Sequence, residues 1–513
     1  MKKIFFILFT AVPCAMHAQS WLPENMNGPV RITDIIQAHE RAVNTTSDDD
    51  DLPKGVVKEN GDYHFQRWLW YWQQHTDANG YIVPSVKTWQ EWQAYQQKNA
   101  INSNARMTGA DMSNWKFMGP DTSSGGYSGL GRINVIAFHP TDVNTFWIGS
   151  PGGGAWKTTN SGTTWTSMTD MLPLLSVSDI VFNPYNANTI YLCTGDRDAG
   201  DYNSIGILKS TDGGNTWDTT GLKWKTSAYM QTNQLAINKL DTNCLTVATN
   251  YGLYRSRDGG ATWSVKVDTE NFKQVMYNPA DTNVMYASAS YHYYPNNENA
   301  SIYRSTDGGA TWNRMTNFSN ATRVSIAVTA ANPAIVKAVV SNYNGSNSNG
   351  LNGIYSSSDS AHTFRLTYAG DCSHNLLGYD AAGNSCNGQG WYDLCMAMSP
   401  TDSNRIYVGG VNSWYTTDGG ITWTLMTFWY SISGHEIAHA DKHYMAVNPL
   451  IPTNLYQCND GGVYMTTNPT SIGAWVNKLS NGLGITEFYR NAVENDNRHF
   501  LLQHPLGGRH HRL

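Results

Sequence analysis

Apolar residues in this chain fall mostly in short runs that end at Pro, Gly, Asn or Asp, the pattern of strands joined by tight turns. Ile133 to Pro140 (INVIAFHP), Asp179 to Pro184 (DIVFNP) and Tyr444 to Pro449 (YMAVNP) predict strands closed by a proline turn. Second strands are expected at Thr145–Ile148, Thr189–Leu192 and Arg405–Val408, each after an Asn-containing turn. Third strands, such as Gly206–Lys209 and Leu253–Arg255, lead into a turn whose sequence recurs. Ser210-Thr-Asp212-Gly-Gly-Asn-Thr-Trp217 returns as Ser256-Arg-Asp258-Gly-Gly-Ala-Thr-Trp263, as Ser305-Thr-Asp307-Gly-Gly-Ala-Thr-Trp312 and as Thr416-Thr-Asp418-Gly-Gly-Ile-Thr-Trp423. Weaker copies end at Trp165 (Asn160 replaces the Asp), at Phe364 (Asp359 is kept, the glycines are lost) and at Trp475. Six intervals separate Trp165 from Trp475, a mean spacing of about 52 residues.

The repeated turn has a structural logic. An Asp side chain accepts hydrogen bonds from N–H groups of its own turn, the glycines supply positive φ, and the Trp enters the next strand with a large face to bury. Four short strands per repeat is the size of a propeller blade, and a β-helix would need a much shorter period. The expected fold is therefore all-β: a β-propeller of about seven four-stranded blades over residues 116–480, preceded by a small α-helical segment. Ile32–Val43 reads as a helix, and Phe65, Trp68, Leu69 and Trp72 fall at helical spacing, as do Trp89, Trp92 and Tyr95. Residues 19–115 are thus expected to form a helical cap, with an aromatic sugar-binding strip as the alternative reading of the same side chains. Residues 481–502 read as the start of a further blade or a ring-closing strand, and 503–513 fit no part of the repeat, as in a truncated chain.

Composition narrows the setting. Only 14 % of residues are charged, and 46 Gly, 19 Trp and 29 Tyr exclude a disordered chain. With 34 Lys+Arg against 40 Asp+Glu the chain is acidic, which argues against nucleic acid as a partner. Residues 1–18 read as a signal peptide: Lys2 and Lys3, the apolar run Ile4–Val12, and Ala18 before Gln19. No run is long enough to span a bilayer. A secreted or cell-surface monomer is expected, in a compartment that permits disulfides. Cys372 and Cys386 would close a Gly/Asn-rich loop, whereas Cys193, Cys244 and Cys395 sit in apolar runs as buried thiols do.

The S-x-D-x-G-x-T-W unit resembles the Asp box, or BNR repeat, of sialidases, xyloglucanase-type glycoside hydrolases and sortilin-like proteins. Its Asp residues here are Asp212, Asp258, Asp307, Asp359 and Asp418. Thr194–Asp201 (TGDRDAGD), Gly388–Asp393 (GQGWYD), His439–His443 (HADKH) and Asn459–Tyr464 (NDGGVY) look closer to large exported propellers of Gram-negative bacteria with type IX secretion. The resemblance implies the fold and, because the box lies on blade-edge turns, says little of function. The chain departs from the hydrolases it resembles. Gly149–Trp156 (GSPGGGAW) has no Asp where the xyloglucanase type carries a catalytic one, and Arg132-Ile-Asn134 is not the sialidase R-I-P motif.

Propellers place function on loops near the axis, at the starts of the innermost strands. Three clusters meet that condition. Asp196, Asp198 and Asp201 offer oxygen ligands for Ca²⁺, or form a solvated acidic loop. His439, Asp441 and His443 alternate along a strand, so they share a face that suits a divalent cation or a ligand, or they hydrogen-bond neighbouring loops. Gln389, Trp391, Tyr392 and Asp393 combine aromatic faces with a carboxylate, as a sugar platform does, though blade packing also uses Trp. Asp179, Asp393 and Asp441 are the candidate catalytic carboxylates. Two classes of function remain: an exported propeller binding polysaccharide or an extracellular protein, which the motif departures favour, and a glycoside hydrolase with a divergent carboxylate pair.

Overall fold

The computed structural model describes residues 30–45, 62–82, 90–91, 94, 119–172, 174–268, 270–291, 299–470, 475–477 and 482–487. The signal peptide, Trp89, Trp92, Tyr95, His292–Tyr294 and the tail 503–513 lie outside the described residues. The chain divides into two compact units, Met1–Ala94 and Tyr95–Leu513.

In the first unit, α1 (Ile32–Thr45) and α2 (Asp62–Gln73) occupy the stretches whose apolar residues recur at helical spacing. Ile35 and Phe65 are buried between them, with Val30, Ile36, Leu69 and Ile82 packed around. The His39 ring stacks flat on Phe65 with centroids 3.6 Å apart. Among the described residues no helix is long and apolar enough to cross a membrane.

The second unit is a propeller of seven antiparallel four-stranded blades, each built from consecutive strands. The innermost strands of blades 1 to 7 are Val135–Phe138, Asp179–Asn183, Thr232–Ile237, Asn271–Tyr277, Ala321–Val328, Cys395–Met398 and Lys442–Val447. Blade 6 gains a fifth, parallel strand, Glu436–Ile437, beside Thr424–Phe428. Burial follows position within a blade. Second strands such as Phe146–Ser150, Leu245–Thr249 and Leu455–Asn459 are buried at every residue, because neighbouring blades cover both faces. Outermost strands such as Asn313–Asn317 are mostly polar and half-buried, with exposed ends.

The recurrent turn joins the third and fourth strands of each blade. In blade 2 the Ser210 hydroxyl donates to Asp212 Oδ1 at 2.8 Å and accepts from the Gly214 N–H at 2.8 Å. Asp212 accepts the Thr216 N–H on Oδ1 (2.9 Å) and the Thr216 hydroxyl on Oδ2 (2.7 Å). The same bonds recur at Asp258, Asp307, Asp359 and Asp418. Gly214 has φ +88°, and a Cβ on it would lie 2.2 Å from the Trp147 indole of blade 1. The turn thus packs blade on blade, and Trp217 buries its ring edge-on against that indole, 6.2 Å between centroids.

Of the stretch 481–502 only residues 482–487 are described, and they form no strand. They lie across the junction of blades 7 and 1, where Leu483 and Ile485 are buried with Leu130, Ile133, Tyr464 and Trp475. The lead-in to blade 1 is hydrogen-bonded to blade 7 by Leu130 N–H to Gly461 O (2.9 Å) and Ile133 N–H to Asn459 O (3.1 Å). A disulfide joins Cys372 and Cys386. Cys193, Cys244, Cys395 and Cys458 are buried thiols.

Candidate functional site

Every motif loop named above reaches the same end of the propeller axis, because the start of each innermost strand and the turn between second and third strands face that way. Asp196 and Asp198 stand on the turn that follows the second strand of blade 2. Three backbone N–H groups of that turn donate to the Asp196 carboxylate, those of Asp198 and Asp201 at 3.2 Å and that of Ala199 at 3.4 Å. Its other close partner is the Arg132 guanidinium of blade 1. The Asp196 N–H donates to Gln231 Oε1 of blade 3 at 2.8 Å.

Asp198 is the hub. It accepts Arg323 Nη2 of blade 5 at 2.6 Å, pairs with Arg197, and meets Nδ1 of His443 of blade 7 at 3.0 Å. Burial works against its charge, yet Arg197, Arg323 and His443 hold its carboxyl well below the usual range. Nε2 of His443 meets Asp460 at 2.8 Å, so both ring nitrogens face ionised carboxylates and both must carry protons. Burial alone would lower the His443 pKa; the bonds to Asp198 and Asp460 raise it, and the ring is an imidazolium. The Tyr392 hydroxyl of blade 6 reaches Asp460 at 2.9 Å and receives Arg132 Nη1 at 3.0 Å. Lys273 of blade 4 donates to the Arg197 carbonyl. All seven blades thus contribute to one network.

Beside it lies a second carboxyl cluster. Gln389 Nε2 donates to Asp441 Oδ1 at 3.0 Å, and Asp441 adopts φ +62°. Asp393 is fully buried, and neither of its oxygens meets a donor. The charges that act on it most are those of Asp441, Lys442 and Asp460. Burial and the Asp441 charge push Asp393 well up, and burial with Asp460 pushes Asp441 to about 6. Lys442, also buried, donates to the Val411 carbonyl at 2.6 Å.

Aromatic rings border these clusters. Trp391 is 50 % exposed, next to Tyr392. Tyr127, 52 % exposed, faces both Trp429 and His439 at 6.4 Å, and Trp429 leads to the exposed Tyr430 at 5.6 Å. The Trp429 indole N–H donates to the Tyr379 carbonyl at 2.9 Å, and the Tyr379 ring feels the charges of Asp393 and Asp441.

The structure therefore gathers Asp196, Asp198, Gln389, Trp391, Tyr392, Asp393, His439, Asp441 and His443 at one end of the axis. Asp179 lies near Arg197 of the same network. That carboxyl turns between blades 2 and 3, accepts the Leu235 N–H at 2.8 Å, and is pushed up to about 7 by burial. The acidic loop does not converge on a cation position: Asp196 and Asp198 face guanidinium groups, and Asp201 is exposed. Among the described residues no group of three His, Cys, Asp or Glu side chains is arranged to hold a metal ion. Arg132, Arg197, Lys273, Arg323 and Asp460 were not singled out from the sequence. The signal available was a charged residue inside an apolar innermost strand, as in Asn271–Tyr277 (NFKQVMY) and Ala321–Val328 (ATRVSIAV).

No protein-family model matches the chain. A xyloglucanase of Acetivibrio thermocellus is 30% identical over 164 residues, which is 29% of this chain and 19% of that protein. A xyloglucanase of a Paenibacillus species is 28% identical over 166 residues, 30% of this chain and 16% of that one. The chain thus spans less than a fifth of the length of these curated relatives. Among solved structures, the GH74 enzyme of Niastella koreensis superposes with a TM-score of 0.52 at 19% identity, over 70% of this chain and 56% of that one. An ancestral GH74 enzyme gives 0.53 at 15% identity, over 76% and 50%. At this identity the likeness carries the fold: a seven-bladed propeller resembling those of GH74 structures.

Proposed function

We propose that this protein is an exported Asp-box propeller that binds polysaccharide across the axial end where Trp391, Tyr127, Trp429 and Tyr430 lie. The observation that carries this reading is the row of part-exposed aromatic rings beside hydrogen-bonding groups of Gln389, Tyr392 and Asp441. Aromatic faces stack on the apolar faces of sugar rings, and fixed polar groups select hydroxyls. The local similarity to xyloglucanases supports a carbohydrate ligand, with a β-glucan backbone as the first to try.

The second reading is hydrolysis by a divergent pair, supported by that same similarity and by the neutral carboxyl of Asp393. Glycosidases set their two carboxyls about 5 to 9 Å apart, across the scissile bond. Asp393 is instead fully buried, with neither oxygen meeting a donor, and Asp441 is buried as well. That geometry favours binding. Affinity electrophoresis through xyloglucan and other soluble polysaccharides, with reducing-sugar release measured in parallel, tests the choice. Retardation by at least one glucan, weakened about tenfold in Trp391→Ala and with no sugar released, is the expected result. Sugar release that disappears in folded Asp393→Asn or Asp441→Asn would establish the hydrolase instead.

A further inference from the structure

Below the charged network, a cavity of about 210 Å³ runs along the axis between the innermost strands of blades 3 to 7. Its wall carries four cationic side chains, Arg197, Lys273, Arg323 and His443, and no carboxylate. Behind the wall, Asp198 answers Arg197, Arg323 and His443, and Asp460 answers His443. Two carboxylates against four cations leave the lining positive. Asp179, the other carboxyl near Arg197, is pushed up to about 7 and so is largely neutral below that pH. Among the described residues no carboxylate lies within ion-pair distance of Lys273, whose one hydrogen bond there goes to the Arg197 carbonyl.

The remaining polar groups on the wall offer donors. Gln234 spends its amide oxygen on the Val275 N–H (3.1 Å) and Gln274 on the Ile326 N–H (2.8 Å), which leaves each with its NH₂ end. The Ser325 hydroxyl, on a residue only 2 % exposed, has no hydrogen-bond partner among the described residues. A cavity with positive charge, amide donors and an unanswered hydroxyl wants an acceptor-only guest. The rest of the lining is apolar and soft: Met276, Met396, Met398 and Met445. The volume is below the roughly 300–1,000 Å³ of sites for drug-sized ligands, so the guest is small.

We propose that the axial cavity binds a short-chain aliphatic monocarboxylate, its carboxylate on Lys273 and Ser325 and its tail among the methionines. This site is separate from the aromatic rim and stands whether or not the rim binds glycans. Titration calorimetry and thermal unfolding with sodium acetate, butyrate, hexanoate, phosphate and chloride test it on the whole protein. The expected result is one site per chain, with affinity rising about fourfold per added CH₂ from acetate to butyrate. Lys273→Met should weaken butyrate about tenfold or more, through loss of a charge-assisted bond. Ser325→Ala removes only a hydroxyl, so it keeps the test open if Lys273→Met fails to fold; it should weaken butyrate several-fold. Absence of binding at about 10 mM, binding of phosphate in preference to the carboxylates, or butyrate affinity unchanged in both variants would overturn the proposal.

Discussion

A single carboxylate organises the recurrent turn in blades 2 to 6, and the blade 1 copy, built on Asn160, shows what its charge contributes. There Asn160 accepts the Thr163 and Thr164 N–H groups on Oδ1, but its Nδ2 donates to the Thr164 hydroxyl at 2.8 Å. In the Asp copies that hydroxyl donates instead, at 2.6 Å in blade 4, and the carboxylate accepts every bond. The folded turn therefore favours the ionised form. Burial pulls the other way in Asp307, yet the Thr311 hydroxyl and N–H bring its pKa down to about 2, against about 3.9 for an unfolded Asp. A depressed carboxyl stabilises the fold above the unfolded value and loses that contribution as pH falls through the folded one. Asp307→Asn should accordingly be less stable than the native chain at pH 6, with the difference shrinking as pH drops from about 4 toward 2. Urea unfolding of both proteins at stepped pH measures it. A difference that stays constant from pH 6 to 3 would show that the charge of Asp307 is not what the turn uses.

At the scale of elements, the site depends on where a loop delivers its side chain rather than on which residues it contains. Gln389–Asp393 and the head of the Lys442–Val447 strand meet at the axis, where the Asp441 charge acts on the buried Asp393. Both carboxyls are raised by burial, so the fold favours their protonated forms. The sign is opposite to that of Asp307: the pair is without cost below about pH 4, and destabilises increasingly as pH rises toward the folded values, about 6 for Asp441. Asp393→Asn removes the raised carboxyl and with it the cost of ionising a buried group beside the Asp441 charge. It should raise stability at pH 8 by on the order of 2 kcal/mol, the gain vanishing toward pH 4. A variant less stable than the native chain at both pH values would mean that ionising Asp393 is not what costs the fold stability at high pH. This junction was half legible in the sequence. Alternation placed Asp441 and His443 near a strand head, and the Gly-rich approach Gly388–Asp393 marked Asp393 as leading into an innermost strand. The blade turns were readable because Ser, Asp, Gly, Thr and Trp act within eight residues of one another. The partners of Asp198 come from 125 and 245 residues away, and no local pattern joins Arg323 or His443 to it. Asp179 also heads an innermost strand, but there the side chain caps the Leu235 N–H of the next blade, a distinction that spacing alone does not carry.

Over the whole molecule, stacked blades resemble a linear repeat array, in which each unit touches only its neighbours and stability is a sum of local terms. Closing the array into a ring changes that, because every blade then has two partners and no end is free to fray. Here, among the described residues, no strand is exchanged between the first and last blades: each keeps four consecutive strands. The junction is made by packing, by the Leu130 and Ile133 N–H bonds to blade 7, and by residues 482–487 laid across it. Ile485 is the centre of that strap. It is 2 % exposed, and a Cβ on Gly131 or Gly153 would meet its backbone or side chain within 3.0 Å, so blade 1 is shaped around it. The Thr486 hydroxyl fastens the strap to the Leu130 carbonyl at 2.5 Å. Ile485→Ala should therefore cost about 2–5 kcal/mol, the range for truncating a buried Ile, and the cost should fall on the whole ring. Urea unfolding followed by tryptophan fluorescence is expected to keep one transition and one slope, with the midpoint lowered throughout. If the strap merely decorates the seam, the main midpoint stays where it was and at most a small early transition splits off. That outcome would mean the ring closes through the blade 1 and blade 7 strands alone.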